Sequence, residues 1–422
     1  MAVPGIEAAD HPVLVFVPGI MGSNLVHPDG RSAWGHGLDV LWPRDGGREV
    51  ALPLTASSPD EGQSQLLATS VVESVDLLGY REEFYVRLRR TFEASGYLVG
   101  DPKAPDARSN LYLFGHDFRL APEVLASQLG ELLATIRAAR GDDRLDVHLM
   151  CQSNGGNVCR YFTKYGTASL DEAEGGKTSL PKGVRVSKLA LVGTANGGAI
   201  RILREFHQGR RIALGRLGRR FAPETILTFR SLFVELPDAE DNFVDESGAP
   251  VAADVYSVAD WERNRWGVWS APVQRRLQAR RWRGYRDMDA WKQHLQLQLD
   301  RARRLRRLLD GDSAGFATDA ILQVQSTSFE TPRRAVLSGA GAERQTRFWG
   351  DEKLKPSKEL RAAAMTMGDG HATRKALELS PQEAAVQRPL VLLEVEHAQL
   401  SLDDDAHVAV LEFFAQPDTH DD

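Results

Sequence analysis

Val13-Leu14-Val15-Phe16-Val17 is five apolar residues in a row, mostly β-branched, stopped by Pro18-Gly19. A strand with no polar face must be covered on both sides, which is the situation of a strand inside a parallel sheet. The same signature returns at Leu111-Tyr112-Leu113-Phe114, Val147-His148-Leu149-Met150, Leu189-Ala190-Leu191-Val192 and Ile321-Leu322-Gln323-Val324, with weaker resumptions near Ala363–Met367 and Leu390–Val395. Between them Leu125, Leu129, Leu132, Leu133 and Ile136 recur at helical spacing, as do Val158, Tyr161, Phe162 and Tyr165. A last helix carries Val408, Val410, Leu411 and Phe414. Strands alternating with helices predict βαβ units around a mostly parallel sheet, an α/β fold.

The alternation lapses twice. Residues 28–75 are rich in Gly, Pro, Asp and Ser and suggest a long loop or lid, and residues 1–11 suggest a loose tail. From about 199 to 315 no buried strand is evident. A chain of 422 residues exceeds the roughly 250–300 at which one core stops growing. The expected organisation is therefore a core of residues 1–198 and 316–422 carrying a mainly helical cap at 199–315.

Charge and cysteine content narrow the function classes. Fifty-two basic against 58 acidic side chains leave a net charge of −6, which argues against a nucleic-acid binder. No apolar run nears the ~18 residues that span a bilayer, and residues 1–11 do not resemble a secretory signal. Two cysteines, Cys151 and Cys159, cannot form a disulfide framework, so a reducing, cytoplasmic setting is expected. No feature implies a metal or an organic cofactor.

The segment from Val147 to Val158 reads strand, turn, helix, with Ser153 at the turn and Cys151 and Gly155 two residues either side. A serine so placed is a nucleophile elbow: the sharp turn lifts Oγ clear and aims the next N–H at a developing oxyanion. A Gly-rich turn of this kind can equally bind phosphate or cap a helix. Position 151 would ordinarily be glycine, and cysteine is tolerable there as a packing residue. An α/β-hydrolase draws its second oxyanion N–H from a loop after an earlier strand, and Pro18-Gly19-Ile20-Met21-Gly22 is such a loop. The donor candidates are Ile20 and Asn154. Met21 and Asn196 are the substrate-binding candidates. The fold requires Ser, then an acid, then His. Asp369, on the glycine-flanked turn Gly368-Asp369-Gly370, and His397, just past the last strand, complete the order Ser153, Asp369, His397. His371 and His407 are rival bases. The first is too near Asp369 in sequence, and the second should lie inside the final helix.

With these residues in place the chain resembles the lecithin:cholesterol acyltransferase-like family of α/β-hydrolases, specifically its bacterial lipase-like members. Val15 to Leu25 resembles that family's N-terminal oxyanion motif, Gly115-His116-Asp117-Phe118-Arg119 its "YDWR" segment and Gln152-Ser153-Asn154-Gly155-Gly156 its "HSMGG". Gly193-Thr194-Ala195-Asn196-Gly197-Gly198 is similar to "GTPxxG", and Gly368-Asp369-Gly370 to the "GDGTV" that carries the catalytic aspartate. Leu236-Pro237, Phe243-Val244-Asp245, Tyr256 and Trp261 resemble the segment entering the cap. His371-Ala372 departs from Thr-Val, and the lid disulfide of secreted members is absent. The resemblance implies a serine hydrolase or O-acyltransferase for lipid-like, including phospholipid, esters, working through an acyl-enzyme. The alternatives are a soluble esterase for non-lipid esters or polyesters, and a catalytically idle fold that binds an acidic ligand or partner.

Residues 275–307 hold twelve basic side chains (Arg275, Arg276, Arg280, Arg281, Arg283, Arg286, Lys292, Arg301, Arg303, Arg304, Arg306 and Arg307) against Asp287, Asp289 and Asp300. Trp261, Trp266, Trp269, Trp282 and Trp291 lie in or near this stretch. Arg beside Trp suits an anionic interface, so transient membrane-surface contact is one reading of the cap and attraction of a phosphate-bearing substrate another. The opposing expectation is a solvated helical face whose tryptophans pack the cap.

Overall fold

The central sheet has seven strands. They are β1 (Val13–Val17), β2 (Val99–Gly100), β3 (Leu111–Leu113), β4 (Leu145–Gln152), β5 (Val184–Val192), β6 (Ala320–Gln325) and β7 (Val391–Leu392). They run in the order β7-β6-β5-β4-β1-β3-β2 in the computed structural model, and every pairing is parallel. The structure describes residues 11–37, 40, 43–54, 65–77, 80–211, 220–238, 241–351, 354 and 356–417. Residues 1–10 of the expected tail, and 38–39, 41–42 and 55–64 of the expected lid, lie outside them.

The apolar runs are explained by the two faces they serve. Val13, Val15 and Val17 pack with Val147, Leu149 and Leu189 against α2 (Pro122–Arg140) and α3 (Asn154–Tyr165). Leu14 and Phe16 point the other way, with Met150 and Val192, toward α1 (Tyr85–Ala94) and α6 (Asp404–Ala415). At ~25 cal/mol per Å² of apolar surface removed from water, this two-sided burial is what favours an interior place in the sheet for these runs.

Between β5 and β6 the chain runs through α4 (Ile200–Gln208), several short helical turns and the 23-residue α5 (Met288–Asp310). Trp261, Trp266, Trp282 and Trp291 are wholly buried here, sharing a core with Phe206, Phe229 and Phe233. The tryptophans are thus packing residues and not an exposed interfacial belt. The arginines are committed as well. Arg301 pairs with buried Glu123, Arg303 with Asp254 at 2.6 Å, Arg304 with Asp171 and Glu174, and Arg276 with Glu224 at 2.7 Å. Arg281, Lys292 and Arg307 face Asp45, Glu262 and Glu174. Arg306 is buried and donates to the carbonyls of Asn196, Val234 and Leu236. Seven of the twelve basic side chains of 275–307 thus face a carboxylate from outside that stretch, which weakens the local positive field the sequence led one to expect.

Three other expectations need correction. Within 28–75, Ser32–Trp34 and Leu67–Val71 are strands that sandwich Ser23–Val26 in a small antiparallel sheet, so the described part is not a long loop. Near 363–367 a short helix, Lys358–Ala364, leads into a strand, Met365–Gly368, that pairs antiparallel with Phe329–Pro332 outside the central sheet. Cys151 and Cys159 are joined in a disulfide between the end of β4 and the second turn of α3, so Cys151 is more than a packing residue. Among the described residues no helix is long and apolar enough to cross a membrane.

Candidate active site

Ser153 follows β4 directly and caps α3, with φ 50° and ψ −121°. An L-residue at positive φ is strained and persists only where its surroundings hold it. Two glycines make this possible. A Cβ on Gly155 would lie 2.5 Å from the carbonyl oxygens of Val17 and Pro18, and one on Gly156 would collide with the Thr194 side chain. Gly155 lets the helix approach the end of β1 this closely, and Gly156 lets it approach the turn after β5.

Ser153 Oγ lies 3.1 Å from His397 Nε2, and His397 Nδ1 lies 2.7 Å from Asp369 Oδ2. The His397 backbone N–H also donates to the Asp369 carbonyl at 2.9 Å, which sets the loop that presents the imidazole. Asp369 is fully buried. Its Oδ1 accepts the N–H groups of His371 at 2.8 Å and Ala372 at 2.7 Å. Burial pushes this carboxyl upward, but His397 and the two amides outweigh it and hold it below its ordinary value. The structure thus brings the three sequence-nominated residues into one hydrogen-bonded array, Ser153 and Asp369 directly after strands and His397 at the start of the helical turn His397–Leu402.

Of the rival bases, His371 lies beside the array and His407 away from it. The His371 ring stacks on His397, centroids 4.5 Å apart, and burial, then the charges of His397, Arg201 and Arg210, holds it well below the usual imidazole range. His407 is buried in α6, with Nε2 2.9 Å from the Ser401 carbonyl.

The oxyanion candidates flank Ser153. The Asn154 N–H opens α3 and so has no partner within the helix, and it sits at the positive end of the helix dipole. Ile20 and Met21 line the same cavity as Ser153, Met21 at φ 63° with its carbonyl accepting Trp34 Nε1–H at 3.0 Å. Gln152 joins the two loops: its Oε1 accepts the Gly19 N–H at 2.9 Å and the Tyr85 hydroxyl at 2.6 Å. Burial raises the Tyr85 phenol far above its usual range, so it remains a donor. Asn196 does not line the cavity. It is buried, its Nδ2 donating to Leu377 O at 3.0 Å and its carbonyl held by Arg306, so it braces the turn after β5.

Sequence reasoning missed the brace on the other side. Asn154 Nδ2 donates to Ser231 O at 3.1 Å and to Glu235 Oε1 at 2.9 Å, tying the nucleophile turn to the segment between β5 and β6. Glu235 is buried and its carboxyl is raised by that burial. No pattern in the sequence distinguishes it from a surface glutamate.

The cavity at Ser153 measures about 170 Å³ and is mainly apolar, with Ile20, Met21, Trp34, Val40, Val72 and Val75 in its walls. Arg210 closes one side, bonded to Glu205 at 2.9 Å. Among the described residues no group of three or more His, Cys, Asp or Glu side chains is arranged to hold a metal ion. The arrangement can supply a nucleophilic hydroxyl, a base oriented by a carboxylate, and backbone donors for an oxyanion.

The chain matches no protein-family model and no curated protein. Among solved structures it is similar to a chain in the crystal structure of the Tle4–Tli4 complex, with a TM-score of 0.58 and 13% identity over 95% of this chain and 97% of that one. At that identity the likeness speaks to fold alone, and the fold is that of an α/β-hydrolase.

Proposed function

We propose that this chain is a serine hydrolase or O-acyltransferase acting on lipid-like esters. The observation that carries the reading is the Ser153–His397–Asp369 array opening on an apolar cavity. In this reading Ser153 Oγ attacks the acyl carbon while His397 takes its proton, and Asp369 holds the imidazole tautomer and stabilises the imidazolium. The amides of Ile20 and Asn154 receive the oxyanion. His397 then returns the proton to the leaving alcohol, and water or a second alcohol resolves the acyl-enzyme. A cavity of about 170 Å³ falls below the ~300–1,000 Å³ of a drug-sized ligand site, so it suits a short acyl group or the first carbons of a longer one.

The motifs around Ile20, Ser153 and Asp369 support kinship with the lecithin:cholesterol acyltransferase-like family. The buried tryptophans and paired arginines of 261–307 give no support to membrane docking through that segment. The Cys151–Cys159 bridge supports work in an oxidising compartment instead of a reducing cytoplasm.

The test is covalent labelling of the full chain by a fluorophosphonate, read by intact mass, beside turnover of p-nitrophenyl esters of rising chain length. Wild type should gain one adduct and Ser153→Ala none. A folded wild type that neither labels nor turns over any ester would leave the catalytically idle alternative. Turnover indifferent to the acyl group would favour non-lipid esters.

A further inference from the structure

Two backbone N–H groups of the loop after β1, those of Ile20 and Met21, meet no protein acceptor among the described residues. Around them the loop is pinned. The Gly22 N–H donates to the Gly19 carbonyl at 3.1 Å, Trp34 Nε1–H to the Met21 carbonyl at 3.0 Å, the Val72 N–H to the Gly22 carbonyl at 2.8 Å and the Gly19 N–H to Gln152 Oε1 at 2.9 Å. The last two of these bonds lead to one residue, Tyr85, the first of α1. Its backbone N–H donates to the Val72 carbonyl at 3.4 Å, and its hydroxyl donates to Gln152 Oε1 at 2.6 Å. We propose that Tyr85 is a positioning residue for the oxyanion hole: acting through Gln152, it holds the loop so that the Ile20 amide faces the oxyanion developing at Ser153. The inference rests on the hydrolase reading above and adds to it a residue one step removed from the reacting atoms.

A backbone N–H only donates, so the Gln152 atom facing Gly19 must be the amide oxygen, and that choice sets the whole carboxamide. The Tyr85 hydroxyl is a second donor on the same oxygen. It restrains the last glutamine torsion, which is broad and soft when nothing holds it. The fit is close at both ends of the loop. A Cβ on Gly19 would lie 2.9 Å from Gln152 Oε1 and 3.1 Å from Ser153 Cβ, and one on Gly22 would lie 2.8 Å from Tyr85 Oη. The phenol itself is anchored. Its ring is buried and meets Phe16 of β1 edge-on, centroids 4.8 Å apart, within the core beneath α1. Tyr85 therefore grips the loop at Gly22 through Val72 and at Gly19 through Gln152, with Ile20 and Met21 between the two holds. An oxyanion donor lowers the barrier only if its direction is set before the charge develops. Misplacement by about 1 Å costs about 10²-fold in rate.

The experiment compares full-length wild type, Tyr85→Phe, Gln152→Met and the double variant, each counted by fluorophosphonate titration so that rates refer to reactive serines. Phenylalanine keeps the ring against Phe16 and methionine keeps the length of Gln152, so each removes a hydrogen bond with little change of volume. On p-nitrophenyl butyrate Tyr85→Phe should lower kcat about 10- to 100-fold with KM within about twofold of wild type. It should weaken inhibition by butylboronic acid, whose tetrahedral adduct places an oxygen in the oxyanion hole, by the same factor as kcat. Because Tyr85 acts through Gln152, the double variant should be no slower than Gln152→Met, instead of slower by the product of the two losses. Amide exchange in a peptide spanning residues 18–22 should be several-fold faster in both single variants. Wild-type kcat in folded Tyr85→Phe, a loss confined to KM, or losses that multiply in the double variant overturns the relay, and so does exchange no faster than in wild type. Where Tyr85→Phe does not fold, Gln152→Met carries the same kcat, boronate and exchange comparisons. A wild type that neither labels nor turns over any ester removes the hydrolase reading, and the exchange comparison still decides whether Tyr85 holds the loop, so the two fail separately.

Discussion

Replacing Asp369 by Asn alters one atom of the array, and the surrounding hydrogen bonds decide the consequence. Oδ1 accepts two backbone amides, at 2.8 and 2.7 Å, and only an oxygen can accept them. The carboxamide oxygen therefore settles there, and its NH₂ faces His397 Nδ1, 2.7 Å away in the wild type. Two donors cannot face each other, so the imidazole must move its proton to Nε2. That nitrogen, 3.1 Å from Ser153 Oγ, then cannot accept the hydroxyl proton. An enzyme locked in the wrong tautomer loses about 10⁴ in kcat, or about 5.4 kcal/mol at 1.36 kcal/mol per decade. The escape is to flip the amide, which restores the tautomer but sets NH₂ against both backbone N–H groups. Two buried donors left unsatisfied cost about 2–6 kcal/mol, which limits recovery to a loss of roughly 30-fold or worse. The expected outcome is a folded Asp369→Asn protein whose kcat on a p-nitrophenyl ester falls between about 30-fold and 10⁴-fold. The array also predicts a stability signature. The folded pKa of Asp369 is depressed, so its stabilisation is fully present above the ordinary value of 3.8 and disappears as pH falls through the folded one. Denaturation midpoints across pH 2–7 should therefore show a smaller acid loss in Asn than in wild type. A folded Asn variant within tenfold of wild-type kcat would remove Asp369 from the array's chemistry.

Three further perturbations test the scaffold. Gly155→Ala puts a methyl 2.5 Å from two backbone oxygens that cannot yield, so α3 must retreat; about 1–3 kcal/mol of stability and at least ~10²-fold in kcat should go with it, and wild-type kinetics in a folded variant would refute the close approach. Cys159→Ala opens a bridge spanning eight positions, worth about 2.5 kcal/mol by loop-closure entropy; a reductant should lower the wild-type urea midpoint and leave the variant's alone, whereas an indifferent wild type would show the bridge does not form. Arg306→Leu strands the carbonyls of Asn196, Val234 and Leu236, and chemical denaturation should record a loss of about 3 kcal/mol or more, a loss below ~1 kcal/mol meaning the guanidinium is merely solvated.

The parts of the fold that sequence made legible are those with a single physical explanation. Val13–Val17 had to be a strand covered on both faces because no residue in it tolerates water, and it sits between β3 and β4 in the sheet. Leu67–Val71 was illegible because Thr69 and Ser70 give an edge strand no apolar face to advertise. Met365–Gly368 misled because a short apolar run does not say which sheet it joins, and here it pairs with Phe329–Pro332. Ser153, Asp369 and His397 were legible as candidates because each lies where a strand ends, on a turn or loop that exposes a side chain. Their mutual distances were not, and Asn196 shows how a polar residue on a Gly-flanked turn can brace backbone without touching the cavity. The arginines of 275–307 misled most. Linear sequence displays their density but not Glu123, Asp171 or Glu224, which neutralise them from distant segments.

His397 meets Ser153 across 244 positions, and the whole stretch between β5 and β6 is threaded in that interval. At a synthesis rate of about 5–20 residues per second, roughly 12–50 s pass between the emergence of the serine and that of its base. During that time the nascent chain already has β1, the turn after it and the strained serine, but no group able to take the serine's proton. A chain halted anywhere before His397 lacks that group in the same way. On the proposed reading, activity needs this long-range closure and can appear only once His397 has been made.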